Sequence, residues 1–201
     1  MSIMSSLFTT PRVVVHTDGS CDDTLTGGWC AIINTGLGSF SITGGDVKTT
    51  NNRMELLAVV SALEQIRCDA DVVIYTDSQY VAAGCLYVKF WKQNNWVSRS
   101  NTPVKNKDLW ERYLECAKYH RIRAVWQKGH DGELYNELCD KMAKRARDHL
   151  KTLTNRTSFV TTACSCDGIR VGSIPNQRLI DDFVKRNLEC IEEDVKEELA
   201  A

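Results

Sequence analysis

Two stretches of the chain share one design. Arg12-Val13-Val14-Val15-His16-Thr17-Asp18-Gly19-Ser20 and Asp71-Val72-Val73-Ile74-Tyr75-Thr76-Asp77-Ser78 each carry a β-branched run into a Thr-Asp pair. Apolar runs of this kind, with no clean polar alternation, suit strands covered on both faces. Upstream of the second run, Leu56, Val59, Val60, Leu63 and Ile66 recur at spacings of three and four, the signature of an amphipathic helix. A strand-helix-strand crossover implies a parallel pair of fixed hand, so Asp18 and Asp77 should reach the same sheet edge. Ligands of open α/β sheets bind at that carboxyl edge. Taken singly, either aspartate reads as a turn residue, with Gly19 letting the backbone turn away directly after Asp18.

The remaining segments fill in an α/β order. Gly27 to Asn34 and Ser39 to Thr43 read as two further strands around Gly36 and Gly38, forming an antiparallel meander that Gly44-Gly45 ends. Thr49-Thr50-Asn51-Asn52 offers caps for the helix that follows, which puts Glu55 in its first turn, where an acid also suits the helix dipole. A helical run through Tyr80, Val81 and Cys85 follows Asp77. Between Val88 and Lys107, Trp91 and Trp96 stand among scattered Lys and Arg. That mixture suits stacking and phosphate contact, although each tryptophan singly reads as an anchor of a surface loop to the core. Leu109, Tyr113 and Cys116 or Ala117 mark a helix, Arg121 to Gln127 a strand, and Asn136 to Leu150 a helix with Asp140 in its second turn.

Composition narrows the class. The 201 residues are 43% hydrophobic, enough for one domain with a core and an appendage. No signal peptide or membrane-length apolar run is visible, so an intracellular, cytoplasmic protein without a membrane partner is expected. The nine cysteines are odd in number and most lie inside apolar or helical patterns, which reads as core thiols in a reducing compartment rather than a disulfide framework. Cys164-Ser165-Cys166 lacks the second pair or nearby histidine a zinc site needs. A net charge of -1 excludes a global attractive field for a polyanion, so any nucleic-acid contact must come from local patches.

Asp18, Glu55, Asp77 and Asp140 come from two strand ends and two helix starts, places this topology can bring together. Carboxylates clustered without basic neighbours repel and raise one another's pKa. Divalent cations remove that conflict, and an oxygen-only set suits Mg²⁺ or Mn²⁺ rather than zinc. Two such ions about 4 Å apart can activate a water on one side of a phosphodiester and stabilise the leaving oxygen on the other. His130, after Lys128-Gly129 in a loop, has the side chain suited to moving a proton near neutrality. A lone loop histidine is otherwise an ordinary surface residue.

Six ordered motifs now carry a resemblance: Thr17-Asp18-Gly19-Ser20, Thr50 to Leu56, Tyr75 to Val81, Pro103-Val104-Lys105-Asn106, Lys128-Gly129-His130 and Asn136-Glu137-Leu138-Cys139-Asp140. In this order they resemble type 1 ribonuclease H over roughly Arg12 to His149. The resemblance implies the ribonuclease H-like fold, a five-stranded mixed sheet with strands 1 to 3 antiparallel, flanked by helices. It implies endonucleolytic hydrolysis of the RNA strand of RNA/DNA hybrids with two Mg²⁺ ions, leaving 5'-phosphate and 3'-hydroxyl ends. Position by position, Asp18, Glu55, Asp77 and Asp140 match the metal-binding acids, and His130 the family's mobile histidine. Cys21, Asn51, Asn52 and Gln79 match positions that sense 2'-hydroxyls, the groups by which a protein tells RNA from DNA. Lys48, Thr50 and Asn106 match a DNA-phosphate pocket, and Trp91 with Trp96 the DNA-gripping region.

Two departures stand out. The first turn, Cys21 to Gly28, lacks the Gly-Asn-Pro-Gly run frequent in bacterial members and adds Asp22 and Asp23 near the acid site. The DNA-gripping region is poorer in lysine, which predicts weaker hybrid binding. The expected organisation is a short segment 1–11, a catalytic domain 12–150, and a tail 151–201. In the tail, a Thr/Ser-rich linker holds one short strand at Ser158-Phe159-Val160 and leads to an acidic helix with Leu179, Phe183, Leu188, Ile191 and Val195 on one face. A monomer is expected, with the tail packed on its own domain; tail-mediated self-association or a protein partner is the alternative. Two other functions fit less of the pattern: a hybrid-binding module without catalysis, and a nuclease of the same fold acting on DNA.

Overall fold

The period-two pattern of the second strand explains how the sheet is covered. Trp29, Ala31 and Ile33 point to one face and Cys30 and Ile32 to the other, and all five are buried. The computed structural model describes residues 10–36, 38–129, 132–153 and 157–164. Strands β1 (Arg12–Cys21), β2 (Thr26–Thr35) and β3 (Gly38–Val47) form the antiparallel meander. Strand β4 (Ala70–Thr76) pairs parallel to β1, and β5 (His120–Trp126) parallel to β4. Thr17 stands opposite Thr76, so Asp18, within β1, and Asp77, just past the end of β4, come to the same level.

Helices α1 (Asn51–Gln65), α2 (Gln79–Gln93) and α3 (Lys107–Cys116) enclose the main core with the Trp29 face; α4 (Leu134–Thr152) covers Cys30 and Ile32 through Leu138, Cys139 and Ala143. The α/β fold expected from the sequence is present, with one difference. The sheet has six strands in the order β5-β4-β1-β2-β3-β6, because β6 (Ser158–Cys164) adds antiparallel to β3. Two glycines account for it. Gly44 and Gly45, expected to end the third strand, lie inside β3, and a Cβ on Gly44 would stand 2.6 Å from the Phe159 carbonyl and 2.6 Å from the Trp29 ring. Bare backbone there admits both Trp29 and the incoming strand, so the short strand expected at Ser158-Phe159-Val160 is present, runs on to Cys164 and becomes a sheet edge.

A second difference concerns Gly19. The strand β1 continues through it to Cys21, pairing Gly19 with Trp29, so it makes no turn. Its function is close approach: a Cβ there would lie 2.3 Å from the Glu55 amide nitrogen. The missing side chain lets the start of α1 lie directly on β1. Residues 1–9, the expected tail helix and Cys166 fall outside the described residues.

Candidate active site

Four elements deliver the predicted acids to one cleft. Asp18 comes from β1 and Asp77 follows β4; both line a cleft of about 410 Å³ with Glu55 and Asp140. Thr50 caps α1, its hydroxyl accepting from the Arg53 amide at 3.3 Å, so the helix begins at Asn51 and Glu55 falls in its second turn rather than its first. Dipole stabilisation therefore does not explain Glu55, which is buried in the cleft wall. Helix α4 is registered by the fully buried Cys139, whose thiol donates to the His16 carbonyl at 3.3 Å. Gly28 completes that docking, since a Cβ on it would meet the α4 backbone at Ala143 and Arg147. The residue after Cys139 is Asp140, which is thereby carried to the Asp18 carboxyl.

Oxygen atoms of Asp18, Glu55 and Asp77 lie within 4.8 Å of one another. Burial raises the Asp18 carboxyl to about 8, with Asp77 and Asp140 adding repulsion. Burial likewise raises Glu55 to about 10, with Asp18 and Asp77 next in effect. Glu55 Oε2 is buried without a hydrogen-bond partner, while its Oε1 accepts from Asn51 Nδ2 at 3.4 Å. An unpartnered carboxylate oxygen among other acids is costly unless a cation arrives. This all-oxygen donor set fits a hard divalent ion. Asp140 differs from the other three, because Lys144 Nζ sits 2.8 Å from its Oδ2.

The predicted substrate contacts divide by location. Asn51, Asn52 and Gln79 line the same cleft as the acids. Cys21 ends β1, its thiol donating to the Asp22 and Thr49 carbonyls at 3.6 Å each. Lys48 and Thr50 are exposed beside the start of α1. Asn106 starts α3 in a left-handed conformation, φ 54°, and donates from Nδ2 to the Tyr80 hydroxyl at 3.1 Å. Trp91 and Trp96 are partly buried against the main core, Trp91 edge-on to Trp110 at 5.7 Å, and the Lys107 ammonium lies 5.8 Å from the Trp96 ring centroid. His130 lies outside the described residues.

Sequence reasoning passed over three residues here. Tyr80 lines the cleft and links it to the Trp-rich segment, its hydroxyl donating to the Lys105 carbonyl and accepting from Trp110 Nε1. Trp126 Nε1 donates to the Asp77 carbonyl at 3.0 Å. Asn136 is buried and donates from Nδ2 to Asp77 Oδ2. Its position one helical turn before Asp140 was the available signal. Asp22, expected to enrich the acid site, instead organises the β1–β2 turn. It accepts from the Thr24 amide, the Thr24 hydroxyl and the Thr26 amide, and it pairs with Lys151.

Comparison with known proteins agrees with this architecture. A ribonuclease H from Rhodopseudomonas palustris is 47% identical over 137 residues, covering 67% of this chain and 85% of that protein. One from Aromatoleum aromaticum is 41% identical over 144 residues, 71% of this chain and 94% of its own. Among solved structures, a type 1 RNase H with the type 2 active-site motif superposes with TM-score 0.62 at 26% identity, covering 71% of this chain and 74% of that one. The solution structure of the PFV RNase H domain, 22% identical, shares the fold with TM-score 0.53 over 70% of this chain and 97% of its own. The profile of the RNase H family matches residues 10–148. With that span containing every acid of the cleft, the chain belongs to the RNase H family of nucleases.

Proposed function

We propose that the chain hydrolyses the RNA strand of RNA/DNA hybrids by a two-metal mechanism, leaving 5'-phosphate and 3'-hydroxyl ends. The carrying observation is the convergence of Asp18, Glu55 and Asp77 within 4.8 Å, with Glu55 Oε2 buried and unpartnered. Asp18, Glu55, Asp77 and Asp140 would hold Mg²⁺, with Mn²⁺ as a substitute. Bound there, divalent ions supply an activated water and neutralise charge on the leaving oxygen. The chain's own residues do the rest. Asn51, Asn52 and Gln79, on the cleft wall with the acids, would offer their amides to a 2'-hydroxyl, and Cys21, at the end of β1, would add a further contact. Lys48, Thr50 and Asn106 would hold a DNA phosphate, Trp91 and Trp96 would grip the DNA strand, and His130 would move a proton near the leaving group. The catalytic unit is assigned to residues 12–150, with β6 as an addition beyond it.

A foamy viral protease-reverse transcriptase in complex with RNA/DNA hybrid shares the fold, with TM-score 0.56 over 68% of this chain and 20% of that one, at 22% identity. It supports the hybrid as a substrate class. Cys21, Cys30, Cys68, Cys85, Cys116 and Cys139 are all free thiols, which supports a cytoplasmic enzyme, although Cys68 is exposed rather than in the core. The deciding assay offers labelled RNA/DNA hybrid, duplex RNA and duplex DNA with Mg²⁺ to the wild type and to Asp77→Asn. Cleavage confined to the hybrid's RNA strand and lost in the variant is expected; cleavage of duplex DNA, or a fully active variant, overturns the reading.

A further inference from the structure

Asp77 is the most solvent-facing member of the converging carboxylate trio, and its surroundings hold it from several sides. Its backbone carbonyl accepts from the Trp126 indole at 3.0 Å. Behind its carboxylate, Gly129 leaves no room for a side chain, because a Cβ there would stand 2.6 Å from Asp77 Oδ2. The one described side-chain donor to that carboxylate is Asn136 Nδ2, at 3.4 Å from Oδ2. Asn136 is 2% exposed, its amide nitrogen accepts no proton, and its own backbone N–H is held at 3.1 Å by the Glu133 carboxylate that caps α4. Its Oδ1 is buried with no hydrogen-bond partner among the described residues.

An amide buried on a helix, with its donor toward a carboxylate and its acceptor unused, is poorly explained as packing. Leaving a buried acceptor unsatisfied is costly, and an alanine or leucine at this position would avoid that cost. The amide's orientation is also constrained: turned over, its oxygen would face a carboxylate oxygen. Long catalytic hydrogen bonds in an empty site tend to tighten when the site fills.

We propose that Asn136 is the positioning residue for Asp77, fixing which oxygen of that carboxylate faces the cleft, with Oδ1 left to accept from a donor that enters with the ion's hydration shell or the substrate. This rests on the reading of the cleft as a divalent-cation site. Asn136 touches no reacting atom and acts through Asp77, as outer partners of metal-binding carboxylates do.

The test pairs a binding readout with kinetics on the full chain. Mn²⁺ is titrated without substrate while Tm is followed, and kcat and KM are measured on labelled hybrid across Mg²⁺ concentrations. In Asn136→Ala the Mn²⁺ concentration giving half of the Tm rise should move up about 10-fold or more, with kcat down by a similar factor and the hybrid KM little changed. Asn136→Ser, too short to reach Asp77 yet polar, should behave the same way, and it carries the test should the alanine variant fold poorly. Excess Mg²⁺ should restore part of kcat in both. A purely structural role predicts lower Tm with an unchanged Mn²⁺ midpoint and unchanged kcat per folded molecule, and that result overturns the proposal. Asp77→Asn serves as the reference: a wild type with no Mn²⁺ response, or an Asp77→Asn variant with a full one, faults the cation-site reading itself and not the assignment of Asn136.

Discussion

Asp18 and Asp22 lie on the same strand end, four residues apart, and the protein treats them in opposite ways. Asp22 is half-buried at the turn, and its carboxylate is fully provided for. Lys151 and the Thr24 hydroxyl lead the contacts that hold its carboxyl below the usual carboxylate range. Asp18 is buried, has acids for neighbours, and its Oδ1 accepts from the adjacent Gly19 amide at 2.7 Å, with no basic side chain paired to it among the described residues. One acid closes a turn; the other is left in want of a cation. Their surroundings separate acids whose charges are met at the surface from those gathered in the cleft. Asp108 is held bidentately by Arg53, Glu64 by Arg112 and Asp71 by Arg121, at the surface and with their charges met. The cleft acids gather where such partners are scarce, Lys144 beside Asp140 being the exception.

The largest effect should come from breaking the cleft side of this contrast. Asp18→Asn should lower hybrid cleavage by at least about 100-fold, the upper loss seen even for outer partners of a metal ligand. The same substitution should raise the metal-free Tm at pH 8, because it removes a buried charge that its neighbours oppose. An inactive variant that is also less stable without metal would mean that Asp18 is a fold residue and the contrast is false.

Titration gives the next prediction. The folded-state pKa values of Asp18 and Glu55 lie above their ordinary values, so in the folded state these groups hold protons that the unfolded chain has released. Their contribution to stability is complete below about pH 4, the ordinary carboxylate range, and is lost as pH rises through the folded value of about 8 for Asp18. Metal-free Tm should therefore climb as pH is lowered from 8 toward 5, against any opposing trend from His16, whose pKa is lowered by burial. Saturating Mn²⁺ should flatten that climb, and so should Asp18→Asn. A metal-free profile unchanged by Asp18→Asn would break the argument.

A smaller effect is expected of Gly19→Ala, whose Cβ would overlap the α1 backbone at Met54 and Glu55. Forcing that contact should cost about 1–3 kcal/mol in stability, measured by denaturant unfolding, and should reduce kcat by displacing Glu55. Smallest of all should be Asp22→Ala. It loosens the turn and frees Lys151, so a slight fall in Tm with kcat near wild type is expected. A large activity loss in Asp22→Ala would place this acid in the reaction and erase the contrast drawn above.

Much of the site was readable before any coordinates. Two apolar strands ending in Thr-Asp with a helix between them leave little choice but a parallel pair, and β1 and β4 pair that way with Thr17 opposite Thr76. Leu138, Met142 and Ala146 stand at spacings of four along α4, as a helix with one inward face requires; Leu138 and Ala146 are buried and Met142 is partly so. Glycines were where reading failed. Gly19, Gly44 and Gly45 resemble turn and stop signals, yet all three lie in strands and act by leaving space for something distant in sequence. For Asn136 the sequence offers only its place one helical turn before Asp140; that its amide is buried against Asp77, 59 residues away, is decided by the packing of α4.

By itself, then, the sequence determined the kinds of element, the alignment of Asp18 with Asp77, and the chemistry that four acids without zinc-type ligands can perform. Periodicity and strand polarity are local, and they propagate through short connections with few alternatives. Only the tertiary structure decided how close α1 comes to β1, that Asp22 belongs to a turn and Lys151, that a sixth strand joins β3, and that the buried Asn136 amide donates to Asp77. Those outcomes depend on which surfaces meet across the sheet. A hydrogen atom in place of a side chain decides that meeting, and its partner lies far away along the chain.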